Sequence, residues 1–193
     1  MNQDAAPSGA EPNSAEHAGD PSGPHASAGD APSSKPRVAA GDDREIADPE
    51  VDLEVLAELL AQVLQREGVA AHAEASITLV DPEPIAQLKA EHLDGDGAPT
   101  DVLSFPIDGI DGDDTSWLVG DLVLCPAVAA AQAEGHAGTL ADELALLVVH
   151  GGLHLTGWDH ADDGERRAMW TRERELMDEL HGPTARDPWT EAT

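Results

Sequence analysis

The chain has 193 residues, with 39 acidic and 10 basic side chains and a formal net charge of -29. This charge excludes a broadly basic nucleic-acid surface, because neutralising phosphates requires Lys and Arg, but it allows a local site where a metal ion supplies the positive charge. The single cysteine, Cys125, excludes an intrachain disulfide. It follows an apolar stretch, which favours a buried small hydrophobe over a reactive thiol.

Residues 1–43 are mostly Ala, Gly, Pro, Ser and acids. Such a segment cannot bury enough apolar surface to offset its ordering entropy, so we expect a disordered acidic tail. We expect the folded domain at 44–182 and a C-terminal tail at 183–193. The N-terminus lacks a basic start followed by an apolar run, and no stretch of about 18 apolar residues occurs. These features predict a cytoplasmic protein without a membrane partner.

Apolar spacing and turn residues predict the elements of the domain. In chain order we expect a helix from Leu53 to near Gly68, a strand at 76–80, a helix at 81–91, strands at 101–105 and 117–125, a helix from Pro126, a helix at 140–155 and a helix at 163–180. Helices interleaved with strands indicate an α+β fold, with a small mixed sheet of about four strands packed with about five helices.

The helix at 140–155 has the clearest signals. Thr139 with Asp142 three residues later resembles a capping box, and Gly157 is placed to end the helix. This segment is the most apolar in the chain, so we expect the helix to be central.

Three histidines stand at the end of that helix. His150 and His154 are four residues apart, so on a helix they project from one face and can reach one metal ion. Gly157 can turn the chain sharply and bring His160 back toward the pair. Three imidazoles with an open fourth position are typical of catalytic zinc, so the sequence predicts one Zn²⁺ per chain bound by His150, His154 and His160.

The spacing also equals that of the metzincin proteases, H-E-x-x-H-x-x-G-x-x-H. The glutamate that acts as general base in those enzymes is Gly151 here. Glycine cannot accept a proton, which disfavours a zincin-like peptidase.

The segment from His150 to His160 closely resembles the signature H-G-x-L-H-L-x-G-Y-D-H of the YbeY family, with Trp158 in place of Tyr. The block 99–106, PTDVLSFP, and the block 120–125, GDLVLC, resemble two further family blocks in the same order. The resemblance implies a single-domain zinc endoribonuclease acting on single-stranded RNA. It also implies a role in ribosomal RNA maturation, notably at the 3′ end of the small-subunit RNA, in ribosome quality control, and contact with the ribosome.

One departure from the family concerns positive charge. Many members carry an Arg shortly before the PTDVLSFP block, whereas Leu93 stands near that place here. No Arg occurs between Arg66 and Arg166, and Lys89 is the only Lys in that interval. Either Lys89 or His92 substitutes, or the metal alone carries the charge, or activity is weak.

The sequence leaves the catalytic groups open beyond the zinc-bound water. Zinc held by three histidines lowers the pKa of its water to about 7, and it could equally polarise a phosphoryl oxygen for attack by a 2′-hydroxyl. Asp121 is a candidate cleft residue, with a bulge-forming Gly-Asp pair as the alternative. Asp159 either orients a histidine or forms the turn. Trp158 either packs in the core or stacks on a base.

The sequence gives weaker indications of a functional role for three residues of the strand blocks and for one basic cluster. Ser104 is a strand residue near the cleft rather than a nucleophile, and Thr100 and Asp101 fix the turn into their strand. Arginines at 166, 167, 172 and 174 alternate with acids, which is typical of a salt-bridged helix face. Three functions therefore compete: a zinc endoribonuclease, a peptidase, and a ribosome-assembly factor with structural zinc and weak or no catalysis.

Overall fold

The computed structural model describes residues 34–92, 97–107 and 118–190. In these ranges the elements are β1 (Arg37–Asp42), α1 (Leu53–Arg66), β2 (Glu74–Leu79), α2 (Pro82–His92), β3 (Val102–Pro106), β4 (Leu118–Leu124), α3 (Pro126–Ala133), α4 (Leu140–Leu155) and α5 (Asp163–Leu180). The predicted α+β fold, with about four strands and five helices, is confirmed. Residues 1–33, the loop positions 93–96 and the acidic loop 108–115 lie outside the described residues.

The strand order is β1-β2-β4-β3, with β3 antiparallel to β4 and the other pairs parallel. Helices α1 and α4 pack on one face of the sheet and form the main core, which includes Leu60, Leu64, Ile77, Leu122 and Leu153. A smaller cluster on the other face joins Ile85 of α2 to Leu103, Val123 and Cys125. Burial raises the pKa of the Cys125 thiol, as expected for a small core residue. No helix within the described ranges is long and apolar enough to cross a membrane.

Helix α4 is central, as the sequence predicts. Its N-cap Thr139 accepts a hydrogen bond from the backbone N–H of Asp142 at 3.1 Å and donates its hydroxyl proton to the Asp142 carboxylate at 2.7 Å. Most of its residues are buried. Two consecutive glycines, Gly151 and Gly152, let α4 pack closely against β4 and α1. A Cβ at Gly151 would lie 2.2 Å from Leu122 of β4, and one at Gly152 would lie 2.8 Å from Val63 of α1.

The expectation of a tail through residue 43 is wrong at its inner end. Residues Arg37–Asp42 form β1, which pairs in parallel with β2. Four of the six β1 residues are exposed, so burial contributes little to this strand, and the backbone ladder holds it. A composition rich in Ala and Gly hides such an edge strand, because backbone hydrogen bonds do not depend on the side chains.

The C-terminal tail expected at 183–193 is also docked over the part that the structure describes. The Arg186 N–H donates to the Ala137 carbonyl at 2.9 Å, and the Ala185 N–H donates to the Asp142 carboxylate at 3.1 Å. Trp189 packs against the main core. Few apolar residues are needed here, because polar contacts to the start of α4 hold the segment.

Truncation tests the boundary at β1. Deleting residues 1–40 removes most of β1, and we expect a loss of at least about 1 kcal/mol in the free energy of unfolding, since several ladder hydrogen bonds are lost. Urea denaturation measures this change. The control deletes residues 1–31 and keeps the whole strand, so its unfolding midpoint should equal that of the full chain. Equal midpoints for both truncations would show that β1 does not stabilise the fold.

The glycine contact of α4 gives a second test. Gly151→Ala is expected to lower the free energy of unfolding by about 1–3 kcal/mol, because the added methyl group overlaps fully buried Leu122. Gly135→Ala is the matched control, since its added methyl would meet only the Gln132 carbonyl oxygen at 3.5 Å. Unfolding curves that show no difference between the two variants would contradict the tight contact.

Candidate metal centre

His150 and His154 lie one turn apart on α4, and their rings stand nearly perpendicular with centroids 4.6 Å apart. Their Nε2 atoms are 3.1 Å apart, and both side chains are half-buried. A tetrahedral zinc ion with Zn–N bonds of about 2.0–2.1 Å separates two ligand nitrogens by roughly 3.3 Å. The observed spacing therefore fits two imidazole ligands of one ion.

The chain reverses directly after α4. The Gly157 N–H donates to the His154 carbonyl at 3.1 Å, and the Trp158 N–H donates to the Leu153 carbonyl at 3.1 Å. Gly157 has φ of +92°, which completes a Schellman motif that only a residue without a Cβ adopts easily. The reversal returns the ring of His160 to 4.9 Å from that of His154.

Three ligand nitrogens thus converge. One nitrogen each from His150, His154 and His160 lies within 4.8 Å of the others. His160 is exposed, so one side of the group faces solvent. Among the described residues no fourth His, Cys or carboxylate joins this group. The donor set fits a three-histidine metal site with a position open to solvent, which is the arrangement of catalytic zinc.

Hydrogen bonds orient the two helical histidines. The Nδ1 atom of His150 lies 2.7 Å from the Glu173 carboxylate, and Nδ1 of His154 lies 2.9 Å from the Trp158 carbonyl oxygen. Both partners only accept hydrogen bonds, so each Nδ1 carries the proton and each Nε2 presents a lone pair. The two lone pairs point to the shared centre.

The electrostatic environment of His154 favours its neutral form. Burial lowers the pKa of His154, and the neighbouring rings of His150 and His160 lower it further. The neutral imidazole is the form that binds a metal ion.

Asp159 and Trp158 support the turn. The Asp159 carboxylate accepts the backbone N–H of His160 at 2.7 Å, which corresponds to the turn-forming alternative. The Trp158 indole packs against the main core and donates to Glu67 at 2.8 Å, which corresponds to the core alternative. Thr100 and Asp101 also form a turn, since the Asp101 carboxylate accepts from the Thr100 hydroxyl and from the Val102 N–H.

Asp121 lies on the other face of the sheet from the histidines. Its neighbour Leu122 contacts α4 at Gly151, and side chains alternate between faces along a strand. The Asp121 carboxylate accepts from the Ser76 hydroxyl, and its partner across the ladder is Phe105. The pairing of β2 with β4 skips Val119, so the irregularity lies one residue before Gly120, and Gly120 and Asp121 keep regular register with both neighbouring strands. Ser104 does face α4, because its Oγ would lie 3.0 Å from a Cβ at Gly151.

Lys89 and His92 are not brought to the histidines by the described contacts. Both lie in the last turn of α2. The His92 ring stands edge-on to Phe105 with centroids 5.2 Å apart, and Lys89 Nζ donates to the Ala98 carbonyl at 3.4 Å. Leu93, which stands near the place of the family's Arg, lies outside the described residues.

The arginines of α5 are largely paired with acids, as their pattern predicts. Arg166 contacts Asp163 at 2.5 Å, Arg172 contacts Glu67 at 2.9 Å, and Arg174 contacts Asp187 at 3.2 Å. Three of the four cations in this cluster are therefore neutralised by the protein itself, and the helix face is a salt-bridged surface.

Sequence reasoning missed Glu173. A signal was present, because Met169, Glu173 and Met177 are spaced by four on one stripe of α5, and all three are buried. A buried carboxylate on an apolar stripe needs hydrogen-bond donors, and a nearby histidine can supply one.

Comparisons with known proteins identify the family of the chain. The family model for Endoribonuclease YbeY matches residues 40–181. Endoribonuclease YbeY of Corynebacterium glutamicum is 44% identical over 135 residues, which is 66% of this chain and 68% of the relative. Endoribonuclease YbeY of Micrococcus luteus is 40% identical over 146 residues, which is 74% of this chain and 92% of the relative.

A solved structure is also similar. The solution structure of TM1509 from Thermotoga maritima superposes with a TM-score of 0.52 at 26% sequence identity, covering 75% of this chain and 89% of that one. The residues matched by the family model, 40–181, include α4 and its histidines. The chain belongs to the Endoribonuclease YbeY family.

Proposed function

We propose that this protein is a zinc-dependent endoribonuclease that cleaves single-stranded RNA and acts in ribosomal RNA processing and ribosome quality control. The observation that carries the proposal is the convergence of His150, His154 and His160 with one side open to solvent, in a member of the YbeY family. The substrate class follows from the endoribonuclease named in its relatives. The small-subunit RNA 3′ end and contact with the ribosome follow from the resemblance of the three sequence blocks.

The residues of this chain have separable roles in that proposal. His150, His154 and His160 hold the ion, while Glu173 and the Trp158 carbonyl fix the orientation of two of the rings. A zinc ion bound there supplies a Lewis acid and a local positive charge. The open side next to exposed His160 leaves room for a phosphodiester to approach.

Positive charge is otherwise scarce around the site. The net charge is -29, and most arginines of α5 are paired with acids. Attraction of RNA phosphates therefore depends chiefly on the metal centre. Only RNA segments that can approach this centre closely would bind. Single strands and ends can enter such a site more readily than a rigid duplex.

A peptidase is disfavoured for a structural reason as well as a chemical one. Gly151 holds the place of the protease base, and it faces Leu122 of the sheet at a distance that leaves no room for a side chain. A base is needed there to shuttle a proton to the leaving amine. Phosphodiester cleavage can depend more on stabilising negative charge, which a metal ion provides.

The assembly-factor alternative rests on one observation. No Arg occurs between Arg66 and Arg166, and Lys89 contacts the Ala98 carbonyl on the α2 side of the sheet. If no cation of this chain assists the metal ion, RNA cleavage is weak. The metal ion then stabilises the fold, and the protein acts by binding a ribosomal partner.

Metal analysis tests the ligand set. We expect purified protein to bind about one zinc ion per chain, and His150→Ala, His154→Ala and His160→Ala each to lose it, because three ligands make one site. Elemental analysis after dialysis measures the zinc content. His72→Ala, which alters a surface histidine outside the group, should retain zinc. Full zinc retention in any of the three variants would remove that residue from the ligand set.

An activity assay tests the reaction class. We expect zinc-loaded protein to cut a labelled single-stranded RNA and to leave casein intact, and His154→Ala to lower the rate of RNA cleavage about a hundredfold or more. The His72→Ala variant again serves as the control. Wild-type protein that cuts casein and leaves RNA intact would overturn the proposal. Zinc-loaded protein that cuts neither would favour the assembly-factor alternative.

A further inference from the structure

Glu173 is a buried carboxylate with two partners. Its side chain is 4% exposed, in a helix whose other buried residues are mainly apolar. One oxygen lies 2.7 Å from Nδ1 of His150, and the other accepts the indole N–H of Trp189 at 2.8 Å. Burying a carboxylate is costly unless hydrogen bonds compensate. The two donors therefore determine together where this carboxylate lies.

Trp189 belongs to a segment that we call the C-terminal strap, residues 184–190. The strap lies beyond the residues matched by the family model, which end at 181. It is nevertheless held at several points of the described domain. Arg186 Nη1 donates to the Glu134 carbonyl at 2.9 Å, and the Ala185 N–H donates to Asp142.

The indole of Trp189 is itself fixed by its surroundings. The Arg174 guanidinium lies 4.5 Å from the ring centroid, which is a cation–π distance. Asp187 accepts the Trp189 backbone N–H at 3.0 Å and pairs with Arg174 at 3.2 Å. Arg174 thus contacts the ring, Asp187 holds the backbone of Trp189, and the indole N–H donates to Glu173.

We propose that the C-terminal strap is part of the metal centre, and that Trp189 and Glu173 are positioning residues for the ligand His150. Trp189 holds one oxygen of Glu173, so the other oxygen remains directed at Nδ1 of His150. That hydrogen bond keeps the proton on Nδ1 and the Nε2 lone pair toward the metal. The inference rests on the metal-binding part of the proposed function.

The consequence is a dependence of metal affinity on a segment outside the family domain. Loss of a hydrogen bond to a ligating histidine typically weakens metal binding by about 10–100-fold. Trp189 acts through Glu173, so its effect should be smaller. His154 is oriented by a backbone carbonyl in α4's own turn, and therefore does not depend on the strap.

The test compares zinc affinity in Trp189→Phe and in a matched control. Trp189→Phe keeps an aromatic ring for Arg174 and removes the N–H. Trp170→Phe is the control. Trp170 lies on α5, the helix that carries Glu173, and the Arg166 guanidinium is 5.9 Å from its ring centroid. The described contacts do not join Trp170 to Glu173. Competition with a chromophoric chelator gives the dissociation constant for zinc.

We expect Trp189→Phe to raise the zinc dissociation constant about threefold to tenfold, and Glu173→Gln to raise it about tenfold or more, while Trp170→Phe leaves it unchanged. Deleting residues 184–193 should weaken zinc binding at least as much as Trp189→Phe. The imidazole ¹⁵N shifts of His150 supply a second signature, because a weakened Nδ1 hydrogen bond changes them and a purely structural role does not.

Three outcomes decide the matter. An unchanged zinc dissociation constant in Trp189→Phe, even with lowered stability of the metal-free protein, would overturn the role of the strap and leave the proposed function intact. An equal loss in Trp170→Phe would also overturn it, since the effect would then not be specific to the hydrogen bond. Wild-type protein that binds no zinc would overturn both proposals together.

Discussion

Helix α4 packs at van der Waals distance against both the sheet and α1, and the geometry of the histidines depends on these two contacts. Successive residues on a helix are rotated by about 100°, so Gly151 and Gly152 point to two sides while His150 and His154 point to a third. The absence of side chains at Gly151 and Gly152 lets Leu122 and Val63 approach the helix directly. Rotation of the helix about its axis would make it overlap one of them, so these contacts fix the direction in which the histidine rings project.

Gly151 also distinguishes this site from the active site of a peptidase. In the proteases with this histidine spacing, the residue after the first ligand is a glutamate that acts as base. In this chain a side chain at position 151 would point into Leu122 of the sheet. The same position cannot serve both close packing and proton transfer, and Gly151 serves packing. The chemistry of the site then rests on the ion and on whatever the open side admits.

Most of the fold could be predicted from the sequence, because its helices carry strong local signals. The bounds of α4 and α5 agree with prediction, since Thr139, Gly157 and the apolar spacing mark them clearly. The edge strand β1 could not be predicted, because its stabilisation comes from backbone pairing with β2 and its side chains are small or exposed. The strap was missed for a similar reason, as it is held by polar contacts to distant elements.

In the site, too, some residues could be predicted from local sequence spacing, whereas others depend on contacts between distant parts of the chain. The three histidines are close in sequence, so their spacing alone predicts their convergence. Asp121 adjoins a conspicuous motif, yet strand alternation puts it on the opposite face, which depends on the register of the sheet. Glu173 lies 23 residues from His150, and only the packing of α5 on α4 brings them together. Local spacing identifies ligands, whereas the groups that orient them depend on tertiary packing.

The two orienting partners also differ in charge, and that difference bears on how an acidic protein can act on RNA. His154 is oriented by a neutral carbonyl, and His150 by a carboxylate. If both were carboxylates, they would offset the full charge of a divalent ion; one offsets only half of it. With the proposed divalent ion bound, the metal, Glu173 and the three neutral histidines together would keep a net positive charge, in a protein whose formal charge is -29. Because that charge is local and the surrounding field is negative, a phosphodiester gains attraction only when it lies close to the ion. If zinc binds as proposed, substrate binding would therefore depend on contact at the metal rather than on long-range steering by the surface.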